Sequence, residues 1–243
     1  MPIVALSGLR GGVGTTSVTA ALAWALNRLG ERTMVIDFSP HNQLRAHFNT
    51  PVTHSRGWAH SDRQQQPWQQ SAMRYTEQLD FIPFGDLPAD EKQNVMHQPE
   101  ALLTPWAARL AALRKTYRWI LLDMPAELPR LSDTLLAQAD HSLVVLNADG
   151  NAHLRLHQTI FPPNTLFLLN QFSSLSKAQQ DLHQLWLSSL KGMVPLLIHR
   201  DEALAEALLC KQPVGEYRPL SLGAEEIATL ATWCLINLTG KAA

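Results

Sequence analysis

Nine residues, Gly8-Leu9-Arg10-Gly11-Gly12-Val13-Gly14-Thr15-Thr16, lie between the apolar run Ile3-Val4-Ala5-Leu6 and an amphipathic stretch that begins near Thr16. Glycines at this density let a backbone curl until successive N–H groups point inward at one anion. A helix that starts straight after the turn adds the positive end of its dipole to the same spot. Strand, glycine-rich turn and helix in that order are the setting in which a phosphate-binding loop is credible. The charge that such loops carry is altered here, because the loop has no lysine and Thr15 precedes Thr16. The geometry for holding a nucleotide is intact and the means of acting on it is reduced.

The remaining sequence supplies the sheet that such a loop needs. Apolar runs recur at Ile3–Ser7, Thr33–Asp37, Leu79–Phe84, Trp119–Asp123, Ser142–Asn147, Thr165–Asn170 and Val194–His199, spaced too widely for hairpins. Most are apolar throughout rather than alternating, the pattern of strands buried on both faces of a parallel sheet. Between them, Val18, Ala21, Leu22, Ala25, Leu26 and Leu29 keep helical spacing and stop at Gly30, a good C-terminal cap. Leu102, Leu103, Trp106, Leu110 and Leu113 repeat the pattern, as do Leu182, Leu185, Trp186 and Leu190, and a last helix starts near Ala224. This alternation predicts an α/β fold: a mostly parallel sheet with helices on both faces, a three-layer sandwich that binds ligands at the carboxyl ends of its strands. With 46% hydrophobic content, residues 1–243 are expected to form a single nucleotide-binding domain. Pro51 to Ser71, rich in Gln, His and Ser and containing Trp58 and Trp68, breaks the rhythm. A polar loop or peripheral helices is expected there, with a partner surface built on the tryptophans as the alternative.

Lysine and arginine number 20 against 21 aspartate and glutamate, so no basic excess favours nucleic acid and none is expected as a partner. Cys210 and Cys234 are too few for a disulfide framework or a Cys-rich metal site, and they fit free thiols in a reducing cytoplasm. No signal peptide is expected, and no apolar segment has the length of a membrane span. The stretch from Ala224 to Leu238 lacks the basic face of a membrane-surface helix. The protein is thus expected in the cytoplasm, peripheral to a membrane only through partners. His153 and His157 stand four apart on an expected helix without a third ligand, which favours solvent or packing roles over a metal.

The segment Arg10-Gly-Gly-Val-Gly-Thr-Thr16 resembles the deviant Walker A motif of the MinD/ParA family of P-loop ATPases, Lys-Gly-Gly-x-Gly-Lys-Thr/Ser. Four further landmarks follow in the family's order. Asp37 ends the second strand, and Trp119-Ile-Leu-Leu-Asp123-Met-Pro125 is similar to the Walker B segment. Leu168-Leu169-Asn170 is similar to the strand whose last Asn reads adenine. Ile198-His199-Arg200 through Ala207, with Lys211-Gln-Pro213-Val214, is similar to the segment that closes over the base. The resemblance spans essentially the whole chain and implies ATP and Mg²⁺ as cofactors. It places the backbone of Gly11, Gly12, Val13, Gly14, Thr15 and Thr16 around the phosphates and the Thr16 hydroxyl on Mg²⁺. Asp37 and Asp123 would hold the ion's waters, Asn170 would meet the adenine edge, and His199 and Arg200 would flank the base. It also implies a homodimer sandwiching ATP, with residue 10 reaching the partner's phosphates. Arg10 keeps a permanent charge and a planar fork for that task.

Two departures bear on catalysis, and no residue is assigned a catalytic role. Thr15 replaces the lysine that neutralises the β- and γ-phosphates, and a neutral hydroxyl cannot supply that charge. Ser39 replaces the aspartate that positions the attacking water. Slow or absent hydrolysis is expected. Leu143 to Asp149 with His153-Leu-Arg-Leu-His157, and Leu196 to Ala203 continuing to Lys211–Arg218, are similar to a branch of the family that serves bacterial cellulose secretion and lacks the same lysine. That likeness implies an ATP-bound dimer at the inner-membrane cellulose synthase complex. It also implies a small regulatory partner, BcsR, and a cyclic-di-GMP-sensing subunit, BcsE. One alternative is an active MinD/ParA-type ATPase that positions cargo by dimer cycling, which Thr15 and Ser39 oppose. Another is a scaffold that has lost nucleotide, which Gly11, Gly12, Gly14, Thr16, Asp123 and Asn170 oppose.

Overall fold

Eight strands build one sheet: β1 (Ile3–Gly8), β2 (Thr33–Asp37), β3 (Met73–Arg74), β4 (Leu79–Ile82), β5 (Trp119–Met124), β6 (His141–Leu146), β7 (Thr165–Phe172) and β8 (Met193–His199). They come from a computed structural model that describes residues 1–97, 100–126 and 135–239. The spatial order is β3-β4-β2-β5-β1-β6-β7-β8, and every pairing is parallel except that of β3 with β4. All seven expected strands form. Only the two-residue β3 escaped the pattern, because Met73-Arg74 is too short to carry one.

The helices are α1 (Thr15–Arg28), α2 (Trp58–Arg63), α3 (Ala89–His97), α4 (Glu100–Leu103), α5 (Trp106–Leu113), α6 (Gly150–Gln158), α7 (Lys177–Ser189), α8 (Glu202–Leu209), α9 (Val214–Tyr217) and α10 (Leu222–Leu238). The expected helix through Leu102 and Leu113 is divided. Pro105 stands at the N-cap of α5, where a residue without an N–H begins a helix but cannot continue one.

Side chains alternate across the sheet. Val4, Leu6, Val35 and Leu121 pack with α1 and α10 on one face. Ile3, Ala5, Met34, Ile36, Ile120 and Leu122 pack with Trp58, Trp106 and Leu110 on the other. Val144, Leu146, Phe167 and Leu169 complete that second face with Trp186 of α7. The apolar runs are therefore strands buried on both sides, and the fold is the expected α/β sandwich of three layers.

The segment from Pro51 to Ser71 corrects one alternative. Trp58 is fully buried, its ring 5.0 Å from Trp106 and from Phe84 and 5.3 Å from Phe38. Trp68 packs on Trp106 at 5.8 Å, and Arg109 lies over both rings while pairing with Asp62 at 2.7 Å. Trp58 is core and Trp68 packs half-buried against it, so the pair is not an exposed partner surface. Among the described residues no helix is long and apolar enough to cross a membrane.

Candidate functional site

β1 lies between β5 and β6, so the glycine-rich loop leaves the sheet where neighbouring chain connections diverge, the usual ligand position in open α/β sheets. Leu9 N–H donates to the Val145 carbonyl of β6 at 3.0 Å and fixes the loop's entry. The exit is Gly14, the N-cap of α1, with φ +91° and no side chain to accept from the helix. The first-turn N–H groups are thus left for an anion. Asn170, at the end of β7, donates one amide N–H to the Val13 carbonyl at 2.7 Å. A Cβ on Gly14 would sit 2.6 Å from that same nitrogen.

Gly14→Ala is therefore expected to cost about 1–2 kcal/mol in left-handed strain and to push Asn170 off Val13. Thermal unfolding checks this: the variant melts lower, and ATP raises its midpoint less than that of the parent protein. Gly30→Ala is the control. Its φ is +83° with nothing near its Cβ, so it should share the strain and keep the full ATP response.

The loop opens on a cavity of about 580 Å³, the size of a cofactor site. Its lining includes Arg10, Gly11, Gly12, Gly14, Thr15, Thr16 and Ser17 on one side and Ser39, His41, His47 and Met124 elsewhere. Below it, Asp37 and Asp123 are direct neighbours in the β2–β5 register, both fully buried. Asp37 accepts from the N–H groups of Ser39 (2.8 Å) and Leu44 (3.2 Å), so its carboxylate shapes the loop that carries Ser39. Asp123 Oδ1 accepts from Thr19 Oγ1 at 3.4 Å, while its Oδ2 is buried without a partner among the described residues. Burial pushes the Asp123 carboxyl up to about 7 against the opposing hydrogen bonds of the Thr16 and Thr19 hydroxyls. Burial first, and the Asp123 charge second, hold Asp37 well above the usual carboxylate range, although Ser39, Leu44 and Arg45 oppose the shift. Two adjacent buried acids, one with a free oxygen beside a threonine hydroxyl, suit a hard cation or a shared proton.

The other expected residues divide into two groups. Thr15, Thr16 and Ser39 line the cavity, whereas Asn170, His199 and Arg200 do not. Asn170 is buried beneath the loop as a brace, with its Oδ1 unpartnered among the described residues. His199 gives its backbone N–H to Glu226 at 2.7 Å and pairs Nδ1 with the same carboxylate at 2.6 Å. Arg200 is exposed beside Glu202. Arg10 pairs with Asp149 at 2.7 Å, and Asp149 in turn caps α6 through Ala152. Burial would raise the Asp149 carboxyl, but the Ala152 N–H and the Arg10 guanidinium outweigh it and hold the group below its ordinary value. His153 accepts from Trp186 Nε1 at 3.2 Å and stands edge-on to His157, which is packing. Among the described residues no group of three or more His, Cys, Asp or Glu could hold a metal.

Three of the cavity residues that sequence reasoning missed come from elements far from the loop. His47 is buried 3.5 Å from Ser17 Oγ, and burial lowers its imidazole to about 4. Lys92 of α3 and Leu208 of α8 also line the cavity. None belongs to a motif, and only the packing of three distant elements brings them there.

A family model described as Cellulose biosynthesis protein BcsQ matches residues 1–235. The Cellulose biosynthesis protein BcsQ of Escherichia coli (strain K12) is 48% identical over 242 residues, covering 99% of this chain and 96% of that protein. Among solved structures, the septum site-determining protein MinD complexed with Mg-ADP from Pyrococcus horikoshii OT3 has a TM-score of 0.77 at 20% identity, covering 99% of both chains. A ParA family ATPase from Chlorobium tepidum TLS has a TM-score of 0.72 at 18% identity, over 95% of this chain and 97% of that one. The two structures carry the fold, which is that of MinD/ParA proteins.

Proposed function

The chain belongs to the BcsQ family of cellulose biosynthesis proteins, and on that premise we propose that it binds ATP with Mg²⁺ and hydrolyses it slowly or not at all. In this reading the bound nucleotide makes it a dimerising assembly factor of the inner-membrane cellulose synthase complex. One observation carries the proposal: the uncapped N-terminus of α1 and the neutral hydroxyl of Thr15 line one cavity, and the buried, part-unpartnered Asp123 directly precedes its lining residue Met124. Loop N–H groups and the α1 dipole attract a polyphosphate without any lysine. Thr16 would hold Mg²⁺, with Asp37 and Asp123 reaching it through water, in keeping with an ion that retains much of its hydration. The ion, when bound, neutralises phosphate charge. Thr15 adds none, and Ser39 has no carboxylate to orient an attacking water.

Residues 1–243 act as one nucleotide-binding domain. Asn170 offers its second N–H and Oδ1 to the adenine edge, with His199 and Arg200 beside the base. Arg10 exchanges Asp149 for the phosphates of a second copy, and ATP buried between copies ties dimer stability to ATP concentration through mass action. BcsR and BcsE are the partners that bring this cytoplasmic dimer to the membrane.

The test is to purify the protein, extract its nucleotide and measure turnover beside Thr15→Lys. ATP should be recovered from the parent protein with little ADP release, and the variant should turn over at least about tenfold faster. Brisk turnover by the parent protein would instead favour the cycling ATPase, and absence of any bound nucleotide would favour the empty scaffold.

A further inference from the structure

The cavity holds a cation that the phosphate loop does not supply. Among the described residues its lining contains the basic side chains Arg10 and Lys92, beside the histidines His41 and His47, and no carboxylate. Arg10 is committed to Asp149 at 2.7 Å. His47 is sequestered against Ser17 in an uncharged state. Lys92 stands in the first half of α3, half-buried, its backbone N–H bound to the Pro88 carbonyl. Among the described residues it forms no ion pair.

We propose that Lys92 is a phosphate-binding residue for the terminal phosphate of a nucleoside triphosphate, supplying from α3 the positive charge that Thr15 withholds from the loop. This deepens the nucleotide reading above and rests on it. The ammonium group is a compact charge on a flexible four-carbon stem, so it follows an anion instead of fixing one geometry. A lysine on the rigid loop is placed to act on the transition state. One on a separate helix strengthens ground-state binding without a matching gain in turnover. Lys92 therefore favours holding a triphosphate over cleaving it, and its charge distinguishes triphosphate from diphosphate.

The experiment measures the affinity of the full chain, with Mg²⁺, for a fluorescent non-hydrolysable ATP analogue and for the matching ADP analogue. The parent protein is compared with Lys92→Met and Lys92→Arg. Lys92→Met should weaken triphosphate binding about tenfold and leave diphosphate binding within about twofold. Lys92→Arg should restore most of the loss. Thermal unfolding without nucleotide should be unchanged in both variants, which separates a lost contact from a damaged fold. Equal triphosphate affinity in the parent protein and Lys92→Met, or equal losses for both nucleotides, would overturn the role of Lys92 while leaving the nucleotide reading intact. A parent protein that binds neither analogue overturns that reading, and the role of Lys92 with it.

Discussion

Trp58→Ala is expected to lower the free energy of unfolding by about 3–5 kcal/mol and to weaken the nucleotide site with it. The indole is fully buried among Phe38, Phe84 and Trp106, so truncation leaves a cavity that three aromatic rings cannot fill without moving. Trp58 also reaches the site. Its Nε1 donates to the Asp37 carbonyl at 2.7 Å, and Asp37 holds the backbone of Ser39 and Leu44. Losing the indole thus frees the end of β2 and the loop that walls the cavity. Trp58→Phe keeps most of the packing but removes the donor, and should cost about 1–3 kcal/mol for the carbonyl left unpaired. Denaturant unfolding of both variants, with and without ATP, checks the division. If Trp58→Phe matches the parent protein in both measurements, the indole hydrogen bond has no part in shaping the site.

That link between core and site could not be read from the chain. Trp58 sits in a run of Gln, His, Ser and Arg whose average polarity hides one residue aimed inward. The strands were legible because burial on both faces leaves an unbroken apolar run, as in Trp119-Ile-Leu-Leu and Leu143-Val-Val-Leu. Pro105 marked the break between α4 and α5 in the sequence itself, but an apolar spacing that continues across it argues for one helix. The loop's shape was legible at Gly14, where glycine is the residue that accepts φ +91°. The role of Asn170 was only half legible. A strand-end amide can turn either toward a ligand or toward the backbone, and the choice depends on where Val13 lies. Arg10 and Asp149 are 139 positions apart, and Lys92 and His47 belong to no motif. Such contacts are set by how helices and turns pack on the finished sheet, which local pattern does not encode.

Asp123→Asn should stabilise the nucleotide-free protein at neutral pH while reducing Mg-ATP affinity about ten- to a hundredfold. The sign follows from proton linkage. In the unfolded chain the carboxyl titrates near its ordinary 3.8, and in the fold burial raises it to about 7. Between those values the native state keeps a proton that the unfolded state has released, so stability falls as pH rises. The contribution is fully present below about 4 and is lost as pH passes 7, at up to about 1.4 kcal/mol per pH unit. Asp37 is raised in the same direction by burial and by the Asp123 charge, so the two acids titrate as a pair. Asparagine keeps an oxygen to accept from Thr16 and Thr19 but can never acquire the buried charge. The stability gap between variant and parent should therefore widen from pH 5 to pH 8. Adding Mg-ATP reverses the order, because a carboxylate that is costly when unpaired is the group a divalent cation requires, and the variant no longer has it. Urea midpoints across that pH range, with and without Mg-ATP, carry both halves of the expectation. A variant less stable than the parent at pH 8 without ligand would mean that the carboxylate gains more from the two threonines than burial costs it.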